Sequence, residues 1–510
     1  MKSRSLKSLD KKNKENSAVV FFDSLYTKKS SDWKKIGEKK LLATCKEAYT
    51  KVPAYKKFLD DTKIDIKKIK SITDFESVPI VGKKNYLCAN AWEDLCKKKS
   101  LSSESLVMTS TSGSTGDPFY FPRTTTIDMQ SSFSHEIFLR SSKIAKNKST
   151  LVIDCFGMGV WIGGLITYQA FKYIADRGYA ITIITPGISK REIFQALKNL
   201  SRKYDQIILC GYPPFIKDVV DDAPEYGIVW SDYSLKIIFA AEGFSETFRD
   251  YIVQKTGIKN LYRDTMNIYG SADLGTMAEE SPLCILLRRI ALTHEKLYIR
   301  LFGQATRLPT LAQYIPEFIN FEQKAGSIYP TGDNVLPLVR YEIGDIGGVM
   351  TYDDVMKICS EEGIDIVNEI KLIGIQDTIT ELPFVHVYER SDFSATFYGA
   401  LIYPEFIKKA LAVEVLKEEL TGKFTMYTKN DEQENQYLEI SIELKSGQKE
   451  TKKLRTQVLS TVHDTLLSQS AEYKKIAESL EEKAYPKILF WPQGHETYFM
   501  SGAKQKWVKR

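Results

Sequence analysis

Residues 109–118 read Thr-Ser-Thr-Ser-Gly-Ser-Thr-Gly-Asp-Pro. Two glycines among six hydroxyl side chains make a pliable loop whose backbone N–H groups and hydroxyls can wrap a polyphosphate. No lysine follows Gly116, which disfavours the GxxxxGK[ST] loop of the P-loop nucleotide hydrolases. Beyond this loop, short β-branched runs alternate with helical segments: LVI from Leu151, AITIIT from Ala180, QIIL from Gln206 and LKIIFAA from Leu235. Runs apolar on both faces and separated by helices predict an α/β body with a mostly parallel sheet covered by helices. Before the loop, residues 33–101 read as a lysine-rich helical lead-in.

Towards the C-terminus the composition shifts near Arg390. A helix-like stretch over 404–420 precedes two strand-like runs, KFTMYTK and QYLEISIEL, then a polar helix over about 450–470 and a basic ending, SGAKQKWVKR. This predicts a small, separate α+β domain. The expected division is a disordered basic tail over 1–16, a large domain over 17–389 and a small lid-like domain over 390–510.

Composition removes several classes. At 510 residues, with 43% hydrophobic and 27% charged side chains, the chain is long enough for a large core and unlike a disordered one. Lys plus Arg exceeds Asp plus Glu by 71 to 65, too little to indicate nucleic acid as a partner. Seven cysteines without a CxxC pair fit a reduced, cytoplasmic protein rather than a disulfide framework or a cysteine zinc site. His294-Glu295-Lys296-Leu297-Tyr298 lacks the second imidazole of a zinc-protease helix. The most apolar stretch, residues 151–168, is broken by Asp154 and glycines, so no membrane span is expected.

The segment TSGSTGDP resembles the phosphate loop of the adenylate-forming superfamily, and further motifs follow in that superfamily's order. Ala240-Ala241-Glu242-Gly243 ends an apolar strand. Asn267-Ile268-Tyr269-Gly270-Ser271-Ala272-Asp273 is similar to Tyr-Gly-x-Ser/Thr-Glu, and Arg340-Tyr341-Glu342-Ile343-Gly344-Asp345 to Arg-Tyr-x-x-Gly-Asp. Glu389-Arg390-Ser391-Asp392 with the following YGALIYPE resembles the hinge between two domains, and Ser501-Gly502-Ala503-Lys504-Gln505-Lys506 the C-terminal lysine loop. The wording of the hinge and of the ending GAKQKWV is most similar to phenylacetate-coenzyme A ligases and capsule-biosynthesis-type relatives.

The resemblance implies a fold with a large adenylate-forming domain and a mobile C-terminal domain. It also implies roles. Thr111, Ser112, Gly113, Ser114, Thr115 and Gly116 would hold phosphates; Ala241, Glu242, Gly243, Asn267, Tyr269, Gly270, Ser271, Asp345 and Arg390 would hold the nucleoside. Asp273 would hold magnesium, Asp392 would lie at the hinge, and Lys504 would be the catalytic cation. The implied reaction joins a small-molecule carboxylic acid to AMP from ATP and passes the acyl group to coenzyme A. Alternatives are transfer to a carrier protein or an amine, and a catalytically degenerate nucleotide-binding protein. Aromatic and apolar residues predict the acid pocket: Phe156, Gly157, Met158 and Trp161, with Tyr212, Pro213 and Phe244.

Two departures from the superfamily pattern stand out. Asp117 occupies a place usually taken by lysine or a small residue, and Asp273 replaces a glutamate and is shorter by one methylene.

Overall fold

A computed structural model describes residues 18–98, 100–111, 118–303, 308–390, 394–495, 498 and 499, except the side chains of Ser100, Glu389 and Arg390. The basic tail, most of the phosphate loop (112–117), Asp392 and Lys504 lie outside the described residues.

The four apolar runs form strands: β3 (Thr150–Asp154), β4 (Ile181–Ile184), β5 (Gln206–Gly211) and β6 (Leu235–Ala240). Every residue of β3 and β5 is buried, because helices cover both faces, as parallel strands require. Each fully buried Ile or Leu contributes about 1.5–3 kcal/mol, so these strands anchor the core with Phe215, Ile237 and Phe239. β7 (Thr265–Ser271) extends the parallel set, and β8 (Gly275–Glu279) turns back against it.

From there the sheet is antiparallel. It continues through β9 (Thr310–Gln313), β13 (Phe384–Arg390), β12 (Asp345–Met350), β11 (Ser327–Gly332) and β10 (Ile319–Lys324). One 11-stranded mixed sheet results, in the order β10-β11-β12-β13-β9-β8-β7-β6-β5-β3-β4. The parallel pattern anticipated from sequence therefore holds for one half. The other half is antiparallel because β7 and β8 are joined by a three-residue turn, which no parallel crossover can use.

The glycine-rich loop joins the hairpin β1 (Leu106–Ser110) and β2 (Tyr120–Thr124). The lead-in docks through Arg340, whose guanidinium donates to the carbonyls of Phe75, Glu76 and Val78. Towards the C-terminus, the hairpin β14 (Ala395–Phe397) and β15 (Ala400–Ile402) precedes a three-stranded sheet. In it β16 (Leu420–Asn430) and β17 (Gln436–Leu444) are antiparallel, and β18 (Lys487–Trp491) lies parallel to β17. The helix anticipated over 404–420 spans only Pro404–Leu411, because Val413 is extended and a single turn leads into β16. Residues of both sheets share one apolar cluster, with Phe397, Tyr398 and Ile476 packed into the core that holds Phe215 and Ile216.

Candidate active site

A cavity of about 940 Å³ lies where the C-terminal ends of β6 and β7 meet the C-terminal sheet and its helices. This is where ligands bind in open α/β sheets. The sequence motifs converge on it. Thr111, Ala241, Glu242, Gly243, Asn267, Tyr269, Gly270, Ser271, Asp273 and Asp345 all line it.

The motifs also hold one another. The Tyr269 hydroxyl donates to Asp345 Oδ2 at 2.5 Å, and the Tyr341 hydroxyl donates to Asp273 Oδ2 at 2.7 Å. Each of two motifs 68–76 residues apart thus lends a tyrosine to the other's aspartate. Asp345 pairs with Arg390 across the β12–β13 ladder, which brings the hinge segment to the same place. Thr109 Oγ1 donates to the carbonyl of Ala272 at 3.1 Å, tying the phosphate-loop hairpin to the Tyr269–Asp273 segment. Gly270 is required sterically: a Cβ there would stand 2.8 Å from the carbonyl oxygen of Gly275.

A buried ion network supports this side. Arg249 bonds Glu246 at 2.9 Å and Glu280 at 2.7 Å, and Arg288 reaches Glu280 at 2.9 Å and the carbonyl of Phe244 at 2.6 Å. Burial pushes the Glu246 carboxyl up, but Arg249 and Arg288 outweigh it and hold the group below the usual carboxylate range. Glu280 also accepts from the Asn267 backbone N–H at 3.2 Å. Asn267 Nδ2 in turn donates to the Glu242 carbonyl at 3.0 Å, while Asn267 Oδ1 is buried without a hydrogen-bond partner.

Other residues are placed differently from their sequence roles. The Glu242 carboxylate turns towards the C-terminal part of the chain, accepting from the Gly399 N–H and from Gln436 Nε2 at 2.7 Å. Phe156, Gly157, Trp161 and Tyr212 line the cavity; Met158, Pro213 and Phe244 do not. Phe244 packs against Phe239 and Phe248 beneath Arg249. Pro213 is the first residue of the buried helix Pro213–Asp222. Met158 offers its carbonyl to Lys475 Nζ at 2.6 Å.

Sequence reading missed several wall residues. His135 lies on the helix Thr125–Ser141, and Ile166 and Thr167 on the helix Ile162–Asp176. Thr276, Lys83, Glu472 and Lys475 also line the cavity. Lys475 stands 4.7 Å from the Trp161 ring, covering the glycine-rich turn. Gly399, at φ +84°, lies so close to Tyr212 that a Cβ would meet its ring at 2.6 Å. Periodicity within the helices was the one available signal for His135, and it reads equally as core.

Neither a protein-family model nor a curated protein matches the sequence. Solved structures do match in shape. Over 95% of this chain and 90% of the other, the structure superposes on 2-hydroxyisobutyryl-CoA ligase with 2-HIB-AMP and CoA in the thioesterification state, at TM-score 0.60 and 16% identity. The chain has the fold of an acyl-CoA ligase. Against the same enzyme in the postadenylation state with R3-HIB-AMP, the TM-score is 0.51 at 15% identity, covering 96% and 91% of the two chains. Among the described residues, no helix is long and apolar enough to cross a membrane.

Proposed function

We propose that the protein is an ATP-dependent, AMP-forming acid:thiol ligase of the phenylacetate-CoA ligase type. It activates a carboxylic acid as an acyl adenylate and transfers the acyl group to coenzyme A. The observation that carries this reading is the crossed pair Tyr269–Asp345 and Tyr341–Asp273, which assembles two distant motifs on one cavity wall. Asp345 presents a carboxylate to which ribose hydroxyls can donate.

In the first step a carboxylate oxygen attacks the α-phosphorus of ATP, and the bond to the bridging oxygen breaks to release pyrophosphate. Charge accumulates on the phosphate oxygens, so donors and a fixed cation must surround them. The Thr111–Gly116 loop supplies N–H and hydroxyl donors, and Lys504 supplies the cation. Asp273 lines the cavity and accepts from Tyr341 through Oδ2, and its carboxylate would help hold a magnesium ion, for which one or two carboxylates suffice. When bound, magnesium would neutralise phosphate charge.

In the second step a thiolate attacks the acyl carbon and AMP leaves. Gly399 against Tyr212, and Lys475 over Trp161, place the C-terminal part of the chain over the cavity. That arrangement suits a water-excluding thiol-transfer state. The higher TM-score against the thioesterification state supports the same reading. In the preceding adenylation step the small domain, rotated about Arg390 and Asp392, would instead bring Lys504 to the α-phosphate.

The test is acid-dependent pyrophosphate release from ATP and magnesium across aryl, fatty and amino acids, with hydroxylamine trapping, beside Lys504→Ala. Release that requires one acid class and falls about 10²–10³-fold in the variant supports the reading. Silence across the panel with ATP bound would overturn it in favour of a nucleotide-binding protein without ligase chemistry.

A further inference from the structure

Tyr398 and Gly399 form the two-residue turn of the β14–β15 hairpin, and both have positive φ, +49° and +84°. Such a turn is ordinarily built from Asn-Gly, and a tyrosine at its first position is strained. Backbone preference therefore does not explain the tyrosine; its side chain does. Tyr398 is 1% exposed, and its hydroxyl donates to Asp218 Oδ2 at 3.0 Å. Burial and the Asp218 carboxylate both push the phenol well above its usual range, which keeps the hydroxyl a donor.

Asp218 lies on the helix Pro213–Asp222 and is itself 1% exposed. Among the described residues, both hydrogen bonds to its carboxylate come from beyond Arg390: the Tyr398 hydroxyl on Oδ2, and Lys483 Nζ on Oδ1 at 2.7 Å. Lys190, which precedes the hinge segment as Asp218 does, stands at 3.8 Å and is bonded to Asp222 at 2.7 Å. The hairpin tip has a second grip. The Gly399 N–H donates to Glu242, the Tyr398 N–H donates to Gln436 Oε1 at 2.8 Å, and Gln436 Nε2 returns to Glu242 at 2.7 Å. Two acids that precede the hinge segment thus hold one two-residue tip, Asp218 by a side chain and Glu242 by the backbone.

The chemistry of this contact suits one that opens. A permanent interface gains more from apolar packing than from a buried ion pair. Asp218, Lys483 and the phenol can each be rehydrated when they part, whereas an apolar pair resists separation. Lys483 is already 48% exposed, so water is at hand. Packing of Phe397 and Tyr398 on the core that holds Phe215 favours closure, and the polar bonds set where the tip lies. We propose that Asp218 is a positioning residue for thiol transfer: with Tyr398 and Lys483 it forms a releasable latch that holds the Tyr398–Gly399 tip over the cavity. The role in transfer rests on the ligase reading above; the latch does not.

Backbone hydrogen exchange on the full chain, read by mass spectrometry, measures the latch directly. In Tyr398→Phe and Asp218→Ala, peptides covering 395–402 should exchange about 10- to 100-fold faster than in wild type, the loss of a hydrogen bond to a charged group. Peptides of β3 and β5 should keep their protection. The double variant should be little worse than the poorer single variant, because both substitutions remove the same contact. With phenylacetate, benzoate or hexanoate as the acid, ATP–pyrophosphate exchange should stay within about twofold of wild type while thioester formation with coenzyme A falls roughly tenfold.

Unchanged hydrogen exchange over 395–402 in both variants overturns the proposal, as does an equal acceleration in β3 and β5, which would make Asp218 a support of the fold alone. Equal losses in the two half-reactions overturn the role in transfer. If Asp218→Ala does not fold, Tyr398→Phe decides, since it removes one hydroxyl and nothing else. Where wild type shows pyrophosphate exchange with no acid of the wider panel, the ligase reading falls, and faster hydrogen exchange at the tip still upholds the latch. Unchanged hydrogen exchange beside intact ligase activity does the reverse.

Discussion

Two parts of the cavity lining are built from different kinds of sequence. In one, short motifs meet through side-chain hydrogen bonds, such as Tyr269 with Asp345 and Tyr341 with Asp273. In the other, single residues from separate helices and a strand edge, His135, Ile166, Thr167 and Thr276, line the cavity without forming a motif. The first is written as contiguous loops. The second consists of side chains that packing brings to the cavity, so it is spread along the chain.

The largest effect that could break this contrast concerns the scaffold beneath the motif-built part. Arg288→Met leaves Glu280 and Glu246 short of a buried partner and should cost about 3–5 kcal/mol in urea unfolding. A loss below about 1 kcal/mol would mean that the network does not support the Glu242–Phe244 segment.

The part without a motif offers a pH test of similar size. The His135 ring titrates at about 4 when folded and at its ordinary value near 6.5 when unfolded. Its contribution is present above pH 6.5 and lost as pH falls towards 4, because only the unfolded chain then takes the proton. Wild type should lose about 3 kcal/mol relative to His135→Phe between pH 7 and pH 4. Parallel pH profiles for the two proteins would place the ring in contact with water.

Asp345→Ala removes a charged acceptor from the cavity and from Tyr269. It should lower kcat/KM for ATP by roughly 10- to 100-fold while leaving the ranking of acids unchanged. A changed acid ranking would erase the distinction between the two parts.

Gly399→Ala gives the smallest effect. A Cβ at φ +84° would press on the Tyr212 ring, so the contact over the cavity should loosen. Transfer to coenzyme A should fall roughly tenfold with pyrophosphate exchange retained, the cost of one strained residue. Equal losses in both half-reactions would show that Gly399 serves the fold alone.

Much of the fold was legible. The runs that became β3 to β6, the hairpin of β16 and β17, and the helix Lys452–Gln469 all read from periodicity. The antiparallel half of the sheet was not, because, apart from the β10–β11 hairpin, its strands are separated by helices and irregular segments and pair with distant partners. β18 was hidden for the same reason: it lies parallel to β17 across two intervening helices. At the site, Tyr269 and Asp345 were found through motif order. Phe244 was misplaced because an aromatic after a turn can face either a cavity or the core, and here it sits under Arg249.

The amino-acid sequence by itself determined the strand and helix alternation, the motif loops and the absence of a disulfide framework. These are local properties, set by side-chain periodicity and backbone preference over a few residues. Tertiary structure alone decided that Tyr341 reaches Asp273, that Glu242 clasps Gly399, and that His135 is buried at the cavity. Those depend on which buried faces close on each other, a choice made by packing across the whole chain rather than by any one segment.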